Sequence, residues 1–221
     1  MTSKVVSSPS TINERIGILA LQGSYPLHAQ MLERLGRPTM LIRRAEQFDD
    51  ISGLIVPGGE STVMSKLSRE LGIFDRIRNE AANGLPLFGT CAGAILLGQG
   101  DDDPPRLGVA PVTLERNAYG RQVDSFEKSM VLSPALGDDK PFLGIFIRAP
   151  RIVLPTTAPE DREYEILGSE GDRVVLLRFR NILLSTFHPE LTEDPKIHLY
   201  FLKMIEEYQK QRFREETAVR R

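Results

Sequence analysis

The fold is decided by Ile16-Gly17-Ile18-Leu19-Ala20-Leu21, then Leu27, Met31, Leu32 and Leu35 at helical spacing, then Gly36-Arg37-Pro38 and Thr39-Met40-Leu41-Ile42. An apolar run this short reads as a strand buried on both faces. The 3.6-residue recurrence after it reads as an amphipathic helix, and Gly-Arg-Pro stops that helix before a second strand. A strand, a helix and a further strand imply a parallel crossover, which places helices over a sheet. The pattern continues outward. Gly53-Leu54-Ile55-Val56 is a third strand, and Val63, Leu67 and Leu71 mark a short helix. Ile73, Phe74, Ile77 and Ala81 mark another, closed by Asn83-Gly84, and Pro86-Leu87-Phe88 is a fourth strand.

This alternation implies an α/β fold, a three-layer flavodoxin-like sandwich with a mostly parallel central sheet. Ligands in such folds bind at the carboxyl ends of the strands. The middle of the chain differs, because 109–115, 123–126 and 142–147 are strand-like with no helix between them, so a mixed or antiparallel extension is expected. Strands return at 174–179 and 182–186. A last helix is expected to start at Asp194-Pro195, a cap followed by Pro at the first helical position, with Ile197, Phe201, Met204, Ile205 and Tyr208 as its buried stripe. Beyond Gln211 the chain is charged and is expected to fray. No internal repeat or linker is visible, so the expected organisation is a flexible tail over 1–14, one domain over 15–212 and a charged tail over 213–221.

The chain has 221 residues, with 28 Lys and Arg against 30 Asp and Glu for a net charge of −2, and no long basic block that would argue for nucleic acid. Its 41% hydrophobic and 26% charged residues are those of a soluble globular protein. The single cysteine, Cys91, excludes an internal disulfide or a Cys-based zinc site and suits a reducing compartment. No window approaches the roughly 20 apolar residues of a membrane span, and 1–14 lacks the apolar run of a secretory signal. A cytoplasmic protein is expected. Asp101-Asp102-Asp103-Pro104-Pro105 reads as a solvated acidic loop, since tandem carboxylates rarely converge on one ion, and no metal is expected.

The sharpest chemical signal is Gly89-Thr90-Cys91-Ala92-Gly93, between a short strand and the apolar run Ala94-Ile95-Leu96-Leu97. It has the form of a nucleophile elbow, in which two glycines remove side chains that would collide in a tight strand-to-helix reversal. A thiol there sits at a helix N-terminus, which favours thiolate, and the N–H of Ala92 can donate to an oxyanion. The alternative is that Cys91 is a small buried hydrophobe. A thiolate catalyst needs a proton carrier, and the histidines are His28, His188 and His198. His28 and His198 lie in helices, where a partly exposed histidine without a catalytic task is expected. His188 stands in Phe187-His188-Pro189-Glu190, where an extended backbone sends His188 and Glu190 to the same side and the carboxylate can orient the imidazole. A polar turn is the alternative.

Pro57-Gly58-Gly59-Glu60-Ser61 ends the third strand. Its glycines allow close backbone approach to a ligand, and the N–H of Gly59 would serve as a second oxyanion donor, although a plain glycine turn is also possible. Phosphate binding is disfavoured, since the lysine of a P-loop is missing and Glu60 has the wrong charge. Cys, His and Glu with a Gly-Gly strand end fit acyl transfer from an amide.

These motifs resemble the class I glutamine amidotransferases. Leu19-Ala20-Leu21-Gln22-Gly23, Pro57 to Thr62, the elbow, Glu115-Arg116-Asn117, Gly120-Arg121-Gln122-Val123-Asp124-Ser125-Phe126-Glu127, Phe146-Ile147-Arg148-Ala149-Pro150 and Phe187-His188-Pro189-Glu190-Leu191-Thr192 are similar to the family's glutaminase subunits of pyridoxal 5'-phosphate synthase. The resemblance implies hydrolysis of L-glutamine to glutamate and ammonia. The ammonia would pass to a separate synthase subunit, in a heteromeric complex, that builds pyridoxal 5'-phosphate from a pentose phosphate and a triose phosphate. It implies a Cys91, His188 and Glu190 triad, glutamine binding by Gly58, Gly59, Glu60, Arg116, Ile147 and Arg148, no cofactor, and activation by a partner that moves the Gly58-Gly59 backbone. Glu60 suits an α-ammonium and either Arg an α-carboxylate. Arg116 and Arg148 as surface ion-pair residues, a glutaminase feeding another synthase, and a non-catalytic subunit of a synthase complex are the alternatives.

Overall fold

The computed structural model describes residues 15–101, 105–116, 125–155 and 164–219. The 1–14 tail, residues 102–104 of the acidic loop and residues 117–124 lie outside the described residues. The first half of the chain runs β1 (Ile16–Leu19), α1 (Tyr25–Arg34), β2 (Thr39–Ile42), β3 (Gly53–Val56), α2 (Ser61–Glu70), α3 (Ile73–Ala82), β4 (Leu87–Thr90) and α4 (Ala92–Leu97). The second half adds β5 (Thr113–Glu115), β6 (Ser125–Met130), β7 (Phe142–Ile147), β8 (Arg151–Val153), β9 (Tyr164–Glu170), β10 (Arg173–Phe179), β11 (Ile182–Ser185) and α5 (Lys196–Val219).

The main sheet has seven strands in the order β2-β1-β3-β4-β11-β10-β9. From β2 to β11 every neighbouring pair is parallel, and β10 and β9 extend the sheet antiparallel. The parallel five follow the flavodoxin-like order, in which the crevice lies outside the strand carboxyl ends where the winding direction reverses beside β1 and β3. Alternate residues serve the two faces. Ile18, Ile55, Phe88 and Leu183 pack with Leu32 of α1 and Ile197, Phe201 and Ile205 of α5. Leu19, Leu54, Val56, Leu87 and Leu184 pack instead with Met64, Ile77 and Leu97 of α2, α3 and α4. Each such buried side chain contributes roughly 1.5–3 kcal/mol of transfer free energy. The three-layer sandwich therefore rests on period-two strands between two helical layers.

Two expectations need correction. The strand-like middle does not extend the main sheet: β5 pairs with β8 and β6 with β7 in separate two-stranded sheets. The antiparallel extension is instead the β9–β10 hairpin. β9 escaped notice because only Leu167 and Gly168 of its seven residues are buried, which gives no clean alternation. The frayed tail expected beyond Gln211 is helical to Val219. Its exposed side chains pair one turn apart, as in Gln211 with Glu215 at 3.0 Å and Arg212 with Glu216 at 3.7 Å, which supports a polar helix end. The start of α5 is as expected, since Asp194 Oδ1 accepts from the Lys196 N–H at 2.9 Å. No helix among the described residues is long and apolar enough to cross a membrane, and among them no cluster of three His, Cys, Asp or Glu is placed to hold a metal.

Candidate active site

β4 ends at Thr90, and the next residue turns the chain sharply into α4. Cys91 takes φ 47° and ψ −106°, a conformation costly for a residue with a Cβ. Two bonds hold it there: the Cys91 N–H donates to Ser185 O of β11 at 2.8 Å, and Ile95 N–H donates to Cys91 O at 3.1 Å. Both elbow glycines are required by space. A Cβ on Gly93 would run into the Val56 carbonyl, and one on Gly89 would lie 2.9 Å from the Ala94 nitrogen. The reversal thus depends on β3, β4 and α4 packing without side chains between them.

β11 leaves the sheet beside β4 and delivers His188, whose N–H donates to Ile145 O of β7 at 2.9 Å. His188 lines the same cavity as Cys91, and the two interact electrostatically. His188 Nδ1 lies 2.7 Å from Glu190 Oε1. A 3₁₀ turn over Pro189–Leu191 makes this contact, not the extended backbone expected from sequence; Pro189 at the first position of the turn folds Glu190 back under the imidazole. Gly58 leaves room for the ring, because a Cβ there would collide with His188 Cε1.

Burial would lower the His188 pKa, but Cys91 and the hydrogen-bonded Glu190 raise it to about 10. The imidazole is therefore held protonated at neutral pH. Burial favours a protonated Glu190, yet His28, His188 and the Ser24 hydroxyl outweigh it and keep the carboxyl ionised. Ser24 Oγ–H donates to Glu190 Oε1 at 2.7 Å.

A cavity of about 320 Å³ opens over Cys91 at the carboxyl ends of β1, β3 and β4. Gly58, Gly59, Glu60, Cys91, Ala92, Arg116, Ile147, Arg148 and His188 all line it, while Glu190 sits behind His188. Gly58 O accepts from the Ser24 N–H at 3.0 Å, and Glu60 N–H donates to Gln22 Oε1 at 2.7 Å. The turn after β3 is thus tied to the turn after β1. Arg116 donates to Thr62 Oγ1 at 3.3 Å from the far wall. Ile147 O faces the Cys91 sulfur at 3.6 Å, and Arg148 follows at φ 43°. One acid and two guanidinium groups therefore border a cavity whose floor is a thiol.

Residues 18–207 match the model of the SNO glutamine amidotransferase family. The chain belongs to that family. Among its relatives, the pyridoxal 5'-phosphate synthase subunit PdxT of Moorella thermoacetica is 48% identical over 195 residues, covering 86% of this chain and 99% of the relative. The subunit of the same name from Fervidobacterium nodosum is 42% identical over 197 residues, covering 88% and 99%. A crystal structure described as a glutamine amidotransferase superposes with a TM-score of 0.78 at 45% identity, covering 86% of this chain and 98% of that one.

In this family member the cavity also holds residues to which sequence reasoning gave no role. Gln22, Gly23 and Ser24 line it from the end of β1, as do Ser61 and Ile95. Position at the end of a central strand was the available signal for the first three. The expectation for His28 and His198 is corrected: both are fully buried, not partly exposed. Helical spacing held the reason, since His28 shares the buried face of Met31 and Leu32, and His198 sits beside Ile197 on the face of Phe201 and Leu202.

Proposed function

We propose that the chain hydrolyses L-glutamine to L-glutamate and ammonia, with Cys91 as nucleophile, His188 as proton carrier and Glu190 as its orienting carboxylate. The observation that carries this reading is the strained Cys91 at the floor of a polar cavity that His188 also lines, with His188 hydrogen-bonded from behind to Glu190. The sulfur attacks the side-chain amide carbon of glutamine. The N–H of Ala92, which precedes the first intrahelical bond of α4, and that of Gly59 receive the oxyanion. Protonated His188 gives its proton to the departing ammonia, and the thioester is then hydrolysed by a water that His188 deprotonates. Glu60 receives the α-ammonium, Arg116 or Arg148 the α-carboxylate, and Gly58 and Ile147 shape the walls.

The ammonia is delivered to a pyridoxal 5'-phosphate synthase subunit in a heteromeric complex, a reading supported by the names of the relatives and by the extent of the match. Residues 15–212 form the amidotransferase domain in this reading, and a cytoplasmic location goes with it. Purified chain, alone and with a pyridoxal 5'-phosphate synthase subunit, should release ammonia and glutamate from glutamine, with stimulation by the partner. Cys91→Ala should abolish release while leaving partner binding nearly unchanged. Retained turnover by that variant would remove Cys91 from the nucleophile role, and full turnover without a partner would remove the requirement for activation.

A further inference from the structure

Behind the candidate triad lies a second row of polar side chains that the chemistry above does not use. His28 of α1 and His198 of α5 are both fully buried, with His28 Nδ1 at 3.0 Å from His198 Nε2. His28 Nε2 lies 3.2 Å from Thr90 Oγ1, directly before Cys91, and 3.5 Å from Glu190 Oε2. Glu190 spends its other oxygen on Ser24 and His188. Oε2 has no hydrogen-bond partner among the described residues and meets only the His28 ring at ion-pair distance, and His198 Nδ1 has no hydrogen-bond partner among them either.

These contacts fix the proton positions. If His28 donated from Nδ1, His198 would accept at Nε2 and carry its own proton on Nδ1. That buried N–H would then have no partner, which is unfavourable in a dry interior. The bare Nε2 of His28 would also face the Glu190 carboxylate, lone pair to lone pair. With both protons on Nε2, His198 donates to His28 Nδ1, and His28 donates into the space shared by Thr90 Oγ1 and Glu190 Oε2. Only an acceptor, His198 Nδ1, is then left unpartnered.

We propose that His28 is a positioning residue, held by His198 in its Nε2–H tautomer so that it anchors the free oxygen of Glu190 and fixes that carboxylate against His188. This rests on the reading of Cys91, His188 and Glu190 as the triad. The groups facing His28 are Glu190 and His188 from the turn after β11, Thr90 from β4 and His198 from α5, with Arg34 of α1 acting on His198. Burial is the largest influence on His28 and, with His188, lowers its pKa against the pull of Glu190, so a neutral donor is what the site contains. Anchoring matters because a carboxylate held on one oxygen alone can swing away from the imidazole it orients.

The test uses the full chain with its synthase partner and glutamine as substrate. His28→Leu removes the donor, whereas His28→Gln keeps an amide N–H where Nε2 stood. The Leu variant should lose about tenfold or more in kcat with little change in KM. The acid limb of its kcat/KM profile should move up by about one pH unit, because a carboxylate deprived of a donor binds protons more tightly. The Gln variant should recover most of the rate and the original limb. A Leu variant with wild-type kcat and an unmoved profile overturns the positioning role. If that variant does not fold, nitrogen chemical shifts of the histidine rings in the wild-type chain decide: both His28 and His198 should be neutral with the proton on Nε2, and a proton on Nδ1 of either overturns the proposal. Cys91→Ala and His188→Ala serve as controls, since turnover in either would defeat the triad itself, whereas loss in both with an indifferent His28→Leu would defeat only the positioning role.

Discussion

Replacing His198 by Gln should flatten the acid side of the stability curve. His198 is fully buried between α5 and α1, and burial, together with His28 and Arg34, lowers its pKa from 6.5 to about 3 against the opposing pull of Glu190. Between those two values the unfolded chain binds a proton that the folded chain refuses, so stability falls as pH falls through the unfolded value. The limiting slope is about 1.4 kcal/mol per pH unit for one proton. Integrated from about pH 7.5 to about pH 5, one such histidine removes about 2 kcal/mol. That figure does not change if the folded value lies a unit higher, because a group with a pKa of about 4 is still neutral at about pH 5. His28, shifted in the same direction, adds to the loss. The other two coupled groups act elsewhere. Glu190, lowered from 4.5, keeps its contribution above 4.5 and loses it only as pH falls further, toward its folded value. His188, raised from 6.5 to about 10, contributes fully below 6.5 and loses its part as pH rises toward 10. The acid limb just below 6.5 thus belongs to the buried pair, and stability should peak near 6.5. Urea unfolding followed by circular dichroism at about pH 7.5, 6.5 and 5 measures it. Gln keeps a donor where Nε2 stood but cannot titrate, so the variant should lose about 2 kcal/mol less than wild type over that range, whatever its stability at neutral pH. Parallel curves for the two proteins would refute the claim that His198 is held neutral by the fold.

Gly58→Ala should leave the fold intact but displace the His188 imidazole, against which the new methyl group would lie; glutamine turnover should fall about a hundredfold, the order expected for a misplaced catalytic group, with the far-ultraviolet spectrum unchanged. Leu54→Ala empties a fully buried position between β1 and β4, and should cost about 2–5 kcal/mol. In a chain of this size each kcal/mol is worth about 2–4 °C, so thermal unfolding should show a drop of several degrees or more while turnover at low temperature is retained. A shift within error would mean that the pocket left by Leu54 collapses without loss of packing.

The parallel half of the fold was legible because β1, β3, β4 and β11 are apolar runs buried on both faces, β2 is a short apolar run at the sheet edge, and the stops between strands and helices are glycines and prolines with a local mechanism. β9 was not legible, since an edge strand buried at Leu167 and Gly168 alone has no periodic signature. The pairing of the middle strands depends on tertiary contacts between segments far apart in sequence, as in Ser125 with Ile147. At the site, Cys91 could be read because its turn constrains the neighbouring residue types locally. His188 and Glu190 were read correctly as a pair but for the wrong backbone reason, a 3₁₀ turn replacing an extended segment. Ser24, His28 and His198 were invisible as a group, because their meeting point exists only when α1 and α5 pack side by side over β4.

That meeting point divides the site into two mechanical parts. The proposed nucleophile and proton carrier are fixed from behind: β4 and β11 are adjacent parallel strands, Cys91 N–H is bonded to β11, and Glu190 is held by Ser24 with His28 at its other oxygen. The oxyanion side is different. Gly58 and Gly59 are held through backbone and Gln22 contacts at the end of β3, with Gly58 O on the Ser24 N–H. Turning the Gly58-Gly59 peptide to aim the Gly59 N–H at a developing oxyanion would give up the bonds that Gly58 O accepts from the Ser24 N–H and, at 3.3 Å, from the Ser24 hydroxyl, a net loss of about 1–3 kcal/mol. Such a step lies within the differential binding energy that a partner subunit can supply. The proposed activation by a synthase subunit then needs no movement of the candidate triad. Ser24 touches both parts, through its backbone N–H and its hydroxyl, and the His188 ring packs on Gly58, so a partner acting on the β3 turn would be felt at both Glu190 and His188.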